Sequence, residues 1–202
     1  RRHCPHEKMI GLLLPASVGG AVANLAVSLA GKIPVNLNFT AGPEAMQAAI
    51  DQCAIRTVLT SQQFVSKANL PQREDMVYLE TLLQSVTLRQ KVQGMLAALF
   101  LPASYLARAP VQTEHTPETL ATVVFSSGST GAPKGVMLSH QNILANVESM
   151  AQVFPLQSQD CMMGILPFFH AFGFTVTLWF PVITGCSVVY HPNPMDGKTI
   201  GD

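Results

Sequence analysis

A chain of 202 residues with 48% hydrophobic and 12% charged positions has enough apolar side chain to bury a substantial core, which excludes intrinsic disorder. Its twelve basic residues balance twelve acidic ones and nowhere cluster, so there is no electrostatic footprint for nucleic acid and no polybasic membrane tether. The partner expected is a small molecule or a protein.

The opening "RRHCPHEK" has no initiator Met, no apolar core and no small-residue cleavage site, so it is no signal peptide and reads as the start of a piece of a longer chain. "MIGLLLP" predicts a buried strand, Val18 to Ala30 a Gly/Ala-rich helix packed closely on a sheet, and "KIPVNLN" a second strand. Pro43 sits where a helix begins and Glu44 in its first turn, so "PEAMQAAIDQC" predicts a helix before the strand "IRTVLT". This β-α-β-α-β order, a first α/β subdomain over residues 1–65, predicts a parallel sheet with right-handed crossovers. Residues 66–117 hold the densest charge and several prolines, and predict a connector with one or two helices. A second α/β subdomain, 118–202, opens with "LATVVF" and a Gly-rich loop, then the strand "GVMLS". A helix from Ser139 to Val153, the strand "CMMGIL", a helix after Phe168 and the strand "CSVVY" follow.

Met9 to Gly31 and Phe172 to Tyr190 contain no charged residue, yet Pro15, Gly19, Gly20 and Asn24 break the first and Pro181 and Gly185 the second. Neither predicts a membrane span. Cys4, Cys53, Cys161 and Cys186 lie far apart, without a C-x-x-C pair or a His at ligand spacing. That argues against a zinc site or a small-protein disulfide framework and for reduced, mostly buried thiols in a cytoplasmic compartment, with no metal-ligating residue singled out.

The densest chemistry lies in "SSGSTGAPKG", residues 126–135. Gly128, Gly131 and Gly135 permit positive φ and close approach of backbone N–H groups, while Ser126, Ser127, Ser129 and Thr130 add hydroxyl donors and Lys134 adds a cation. That combination fits a polyphosphate better than a flexible linker, since linkers seldom join two apolar strands. Neither G-x-x-x-x-G-K-[ST] nor G-x-G-x-x-G can be drawn through it, so it is a phosphate loop of another type.

"FSSGSTGAPKGVMLSH", residues 125–140, resembles the signature loop of the AMP-forming adenylate synthetases, the family of acyl-CoA synthetases, peptide-synthetase adenylation domains and luciferases. "LPFFHAFGF", residues 166–174, resembles the family motif whose aromatic or His side chain lines the acyl pocket beside the adenylate. "HQNILANVESM" and the segment from Pro167 to Pro194 look most like the synthetase half of the bifunctional acyl-[acyl-carrier-protein] synthetase / 2-acylglycerophosphoethanolamine acyltransferases. The resemblance implies part of the large N-terminal α/β domain of an adenylate-forming ligase, as an incomplete fragment. It also implies Mg-ATP, a fatty acid, a thiol acceptor that is acyl-carrier protein or coenzyme A, and a parent that reacylates a lysophospholipid at the membrane surface, on the cytoplasmic face of the inner membrane. Ser126, Ser127, Gly128, Ser129, Thr130, Gly131 and Lys134 would grip the phosphates, with Thr130 and Lys134 stabilising the developing charge. His170 would orient the carboxylate or stack near the acyl-adenylate. Its alternative is a core histidine among Phe168, Phe169, Phe172 and Phe174, which are themselves either acyl-pocket wall or plain core.

In the family, the residues that hold adenine and Mg²⁺, the hinge and a late Lys all follow the motif around His170, beyond Asp202. The chain by itself is therefore expected to be inactive, and a non-catalytic phosphate-binding module is the rival reading. His191 and Asp196 satisfy the H-x-x-x-x-D spacing of glycerolipid acyltransferases, but the two prolines between them predict a turn. Residues 94–110 are apolar nearly all round with basic flanks, and either pack in the core or lie against lipid or a neighbouring domain.

Overall fold

The computed structural model describes residues 7–102, 105, 116–126 and 133–201. β1 (Met9–Leu13), β2 (Ile33–Asn36) and β3 (Val58–Thr60) alternate with α1 (Val18–Leu29) and α2 (Pro43–Gln52), as the periodicity predicts. All three strands pair in parallel, in a sheet of order β2-β1-β3-β4 whose fourth strand, β4, is Met76–Tyr78. Local chemistry places the helix starts. Ser17 accepts a hydrogen bond from the Gly20 N–H (3.1 Å) at the start of α1, and Pro43 opens α2, where its missing N–H costs nothing.

The fourth strand, β4 (Met76–Tyr78), comes from the segment expected to be a connector, and α3 (Gln62–Lys67) spans the expected boundary at residue 65. At three residues, β4 is too short to show a period of two. Beyond it lie α4 (Leu79–Ser85) and α5 (Leu88–Phe100), then a hairpin of β5 (Leu120–Ser126) and β6 (Lys134–Ser139). α6 (His140–Val153) follows, begun by a capping box in which Ser139 and Asn142 satisfy each other's backbone N–H groups. β7 (Cys161–Gly164) pairs in parallel with β8 (Ser187–Tyr190) across a continuous helical crossover. That crossover runs through α7 (Ala171–Gly173), a π-helical stretch (Phe174–Trp179) and α8 (Phe180–Thr184); α9 (Gly197–Gly201) closes the described chain.

β1 is buried on both faces, so it reads as a continuous apolar run. Ile10, Leu12 and Leu14 pack with Ala23 and Val27 of α1. Leu13 packs on the opposite face with Val35, Ile50, Val58 and Val65. A Cβ on Gly11 would sit 3.2 Å from each of Ile55, Leu37 and Val58, so any larger residue there would press these side chains apart. α1 is locked to β2 by a reciprocal amide pair: Asn24 donates to Asn36 (3.1 Å) and Asn36 to Asn24 (2.8 Å), with Asn24 fully buried.

The two expected subdomains share their interior through β5. Val123 and Phe125 enter the first core, while Ala121 enters a second with Ile143, Val147, Phe168, Phe174 and Leu178. Thr122 donates its hydroxyl to the Pro34 carbonyl (2.7 Å), on a strand whose proline suits an edge position. Pro181 has no N–H to offer the carbonyl of Thr177, four residues back. That carbonyl accepts instead from the Tyr190 hydroxyl at 2.7 Å, and burial pushes the phenol's pKa up to about 12, keeping it a donor.

Candidate functional site

The hairpin fixes the two ends of the Gly-rich loop. Val124 pairs with Val136, Phe125 with Gly135 and Ser126 with Lys134, so Ser126 and Lys134 stand directly opposite as the last rung, both exposed. The side-chain amide of Gln52, at the end of α2, donates to the Pro133 carbonyl (3.0 Å) and ties the returning end to the first subdomain. Ser127, Gly128, Ser129, Thr130 and Gly131 lie outside the described residues. Gly135 serves differently from the sequence expectation. It is absent from the glycines with positive φ, and its value is space: a Cβ there would lie 3.0 Å from Val123 and 3.1 Å from Phe125.

Beside this rung opens a cleft of about 620 Å³, with Met46, Ala49 and Phe125 among its apolar walls and Asn38, Ser126 and His170 as its polar side chains. Among the described residues no acid lines it, so an anionic group there meets no like charge from that wall. Asn38 follows β2 and His170 follows β7, in keeping with the rule that parallel α/β sheets bind ligands beyond the carboxyl ends of their strands.

His170 is exposed and stands immediately before α7, its N–H donating to the Pro167 carbonyl (3.2 Å) and its carbonyl accepting from the Phe174 N–H (2.8 Å). The tight turn needs glycine: a Cβ on Gly173 would lie 2.2 Å from the Pro167 carbonyl oxygen. The imidazole leans on Phe169 with ring centres 4.7 Å apart, Phe169 meets Phe39 edge-on at 5.0 Å, and Phe39 meets Phe64 at 5.0 Å. A row of aromatic edges thus backs the histidine from the first subdomain. Phe168, Phe169 and Phe174 are buried core and Phe172 is exposed; none of the four lines the cleft.

Over residues 3–200 the sequence matches the family described as AMP-binding enzyme. The chain belongs to that family. It is 38% identical over 87 residues to a long-chain-fatty-acid–CoA ligase of Bacillus subtilis, covering 41% of this chain and 16% of the ligase. It is 28% identical over 209 residues to the long-chain-fatty-acid–CoA ligase ACSBG2 of Rattus norvegicus, covering 95% of this chain and 30% of that one. The fold matches o-succinylbenzoate CoA synthetase (MenE) of Bacillus subtilis in complex with AMP, with a TM-score of 0.74 at 21% identity, over 99% of this chain and 47% of the synthetase. The same synthetase in complex with ATP and magnesium ion aligns with a TM-score of 0.70 at 21% identity, over 99% of this chain and 48% of that one. The chain spans less than half the length of each of these relatives.

Several features of this AMP-binding enzyme had no signal in a sequence motif. Asn38, Gln52 and the α2 side of the cleft are ordinary residues that only the fold brings beside the loop; the one available hint was a proline-led helix directly after a strand. The His191 and Asp196 pair forms a turn: His191 Nδ1 lies 2.9 Å from the Asn193 carbonyl, and Nε2 lies 3.6 Å from Asp196. The Thr199 side chain first, then its N–H, hold Asp196 below the usual carboxylate range, with His191 a smaller influence, as suits the start of α9. Among the described cysteines, Cys53, Cys161 and Cys186 are free thiols; Cys161 is exposed, against the expectation of burial. Among the described residues, no three His, Cys, Asp or Glu side chains converge as a metal site, and no helix is long and apolar enough to cross a membrane.

Proposed function

We propose that this AMP-binding enzyme supplies the phosphate grip and part of the acyl site of an ATP-dependent acid–thiol ligase. The observation that carries the reading is the Ser126 to Lys134 rung, which fixes both ends of the hydroxyl-rich loop at the mouth of an apolar cleft bearing His170. In the first step a fatty acid carboxylate attacks the α-phosphate of ATP, forming acyl-AMP and releasing pyrophosphate. In the second, a thiol attacks the acyl carbon and AMP leaves. Lys134 and Thr130, with Ser126, Ser127, Gly128, Ser129 and Gly131, hold the polyphosphate and stabilise the charge gathering on the leaving pyrophosphate. His170 orients the carboxylate, its place set by Phe169 and the turn at Pro167. Magnesium, carried in on the ATP phosphates, neutralises part of their charge when bound.

A fatty acid suits the apolar walls of the cleft, and two of the relatives are fatty-acid ligases. For the acceptor, the likeness of residues 140–150 and 167–194 to acyl-carrier-protein synthetases favours a carrier-protein thiol; the names of the same relatives favour coenzyme A. With a carrier protein, the activated acyl group would serve lysophospholipid reacylation at the cytoplasmic face of the membrane.

Fatty-acid-dependent ATP–pyrophosphate exchange in the full-length protein tests the proposal. Lys134→Ala and Thr130→Ala are each expected to lower kcat/KM by roughly 10- to 1,000-fold, and His170→Ala by less. Absence of exchange with every acid tried would leave a phosphate-binding module. Transfer of preformed acyl-AMP to carrier protein or to coenzyme A then decides the acceptor.

A further inference from the structure

α5 shows an apolar stripe to solvent. At 3.6 residues per turn, Leu88, Val92, Met95 and Leu99 form one stripe with Leu96 and Phe100 beside it. Yet no residue of the helix is buried, and Leu88, Leu99 and Phe100 are 77%, 69% and 76% exposed. The two least exposed residues, Gln90 and Ala97, fall on the opposite side. The helix therefore leaves its apolar stripe uncovered among the described residues. Leu83 and Val86, just before it, are exposed as well.

The charges around this stripe have one sign. From Thr81 to Thr113 the sequence contains Arg89, Lys91 and Arg108 and no acid. Arg89 and Lys91 flank the apolar stripe on its two sides and sit in the first turn of α5, where a cation opposes the helix dipole. That placement weakens the helix, so it answers to a contact outside it. A second copy of the chain would bring cations to cations with no acid on either helix to pair them.

We propose that α5 is a membrane-surface helix that lies in the plane of an anionic phospholipid bilayer, its Leu88–Val92–Met95–Leu99 stripe among the acyl chains and Arg89 and Lys91 at the headgroups. With thirteen residues it lies on the bilayer and does not cross it. The inference does not depend on the ligase reading, because it uses no residue of the cleft or the loop.

Flotation of the full-length protein without ATP, on phosphatidylethanolamine vesicles containing phosphatidylglycerol and on pure phosphatidylcholine vesicles, tests it. The protein is expected to float with the anionic vesicles and to be released by high salt. The double variant Met95→Gln/Leu99→Gln is expected to lose roughly tenfold or more in partitioning, and Arg89→Gln/Lys91→Gln roughly fivefold per charge on anionic vesicles alone. Val153→Gln, an equally exposed apolar position on α6, is expected to float like the parent. Equal flotation of parent and Met95→Gln/Leu99→Gln, or none by either, overturns the proposal. So does a lowered melting temperature in that variant, which would make the stripe core, or a change in its oligomeric state with flotation unaltered, which would make it a protein interface. Pyrophosphate exchange in solution is expected to be unchanged in Met95→Gln/Leu99→Gln, so failure of the helix reading and failure of the ligase reading appear in different assays.

Discussion

β1 and β6 are both short strands of apolar sequence, and their surroundings could hardly differ more. β1 has a parallel neighbour on each edge and helices over both faces, and four of its five residues are buried. Among the described residues β6 has one antiparallel neighbour, and its first four residues, Lys134 to Met137, are exposed. The first region holds itself together; the second carries the groups proposed for chemistry. What joins them is β5, which sends Val123 and Phe125 into the first core and Ala121 into the second. The lesson is a division of labour: the ends of a Gly- and Ser-rich loop can be fixed because one leaves a strand anchored in two cores and the other is paired to that strand.

The largest test of that division is Phe174→Ala. Phe174 is fully buried in the second core and meets Trp179 edge-on at 6.1 Å, so its loss is expected to cost about 3–5 kcal/mol, a fall of roughly 6–20 °C in Tm. Val136→Ala on exposed β6 is expected to stay within about 0.5 kcal/mol. Comparable melting losses in the two variants would erase the contrast between buried and exposed regions.

Gly173→Ala comes next, because it acts on the link between core and site. The added methyl would meet the Pro167 carbonyl oxygen at 2.2 Å, and relieving that clash is expected to cost about 1–3 kcal/mol while moving the turn that carries His170. Exchange activity is then expected to fall by more than stability predicts at a temperature where the variant is folded. An intact kcat/KM in a variant with lowered Tm would separate the turn from the site.

Much of this contrast was legible beforehand. The first three strands, α1 from Val18, the proline-led α2 and the helix from Ser139 follow from period and from Pro43. β4 was not legible, because three residues after a charged stretch carry no pattern. Nor was the fate of the phenylalanines between 168 and 174: spacing alone does not say which side of a π-helical turn faces the core. The exposure of α5 was left open between core and an outward face for the same reason, since amphipathicity gives a face but not its direction.

Tyr190→Phe probes a smaller term. Removing the hydroxyl leaves the Thr177 carbonyl, already deprived of an amide by Pro181, without its 2.7 Å donor. The expected cost is about 1–2 kcal/mol, or roughly 2–8 °C in Tm. A neutral outcome would mean the crossover helix relaxes to serve that carbonyl by itself.

The smallest expected effect belongs to the first region, at the junction of β4 and α4. Burial alone would raise the Glu80 pKa, but its own N–H, the Ser61 hydroxyl and the N–H groups of Gln62 and Gln63 outweigh that and hold the carboxylate below its usual range. The Ser61 and Gln62 bonds measure 2.8 and 3.0 Å, so the charge caps α3 from a neighbouring element. A folded pKa below the unfolded one means the ionised form favours the fold, so the stabilisation is present above the ordinary carboxylate pKa and lost as pH falls through the lower, folded value. Because the group is mostly solvated, the gain is under about 1 kcal/mol. Glu80→Gln keeps an acceptor and removes the charge, so it is expected to lower Tm slightly at neutral pH, with the gap to the parent closing as pH falls below about 4. A gap that stays constant into acid would assign the cap to shape and hydrogen bonding alone, and α3 would then owe nothing to the charge of the segment whose strand the sequence concealed.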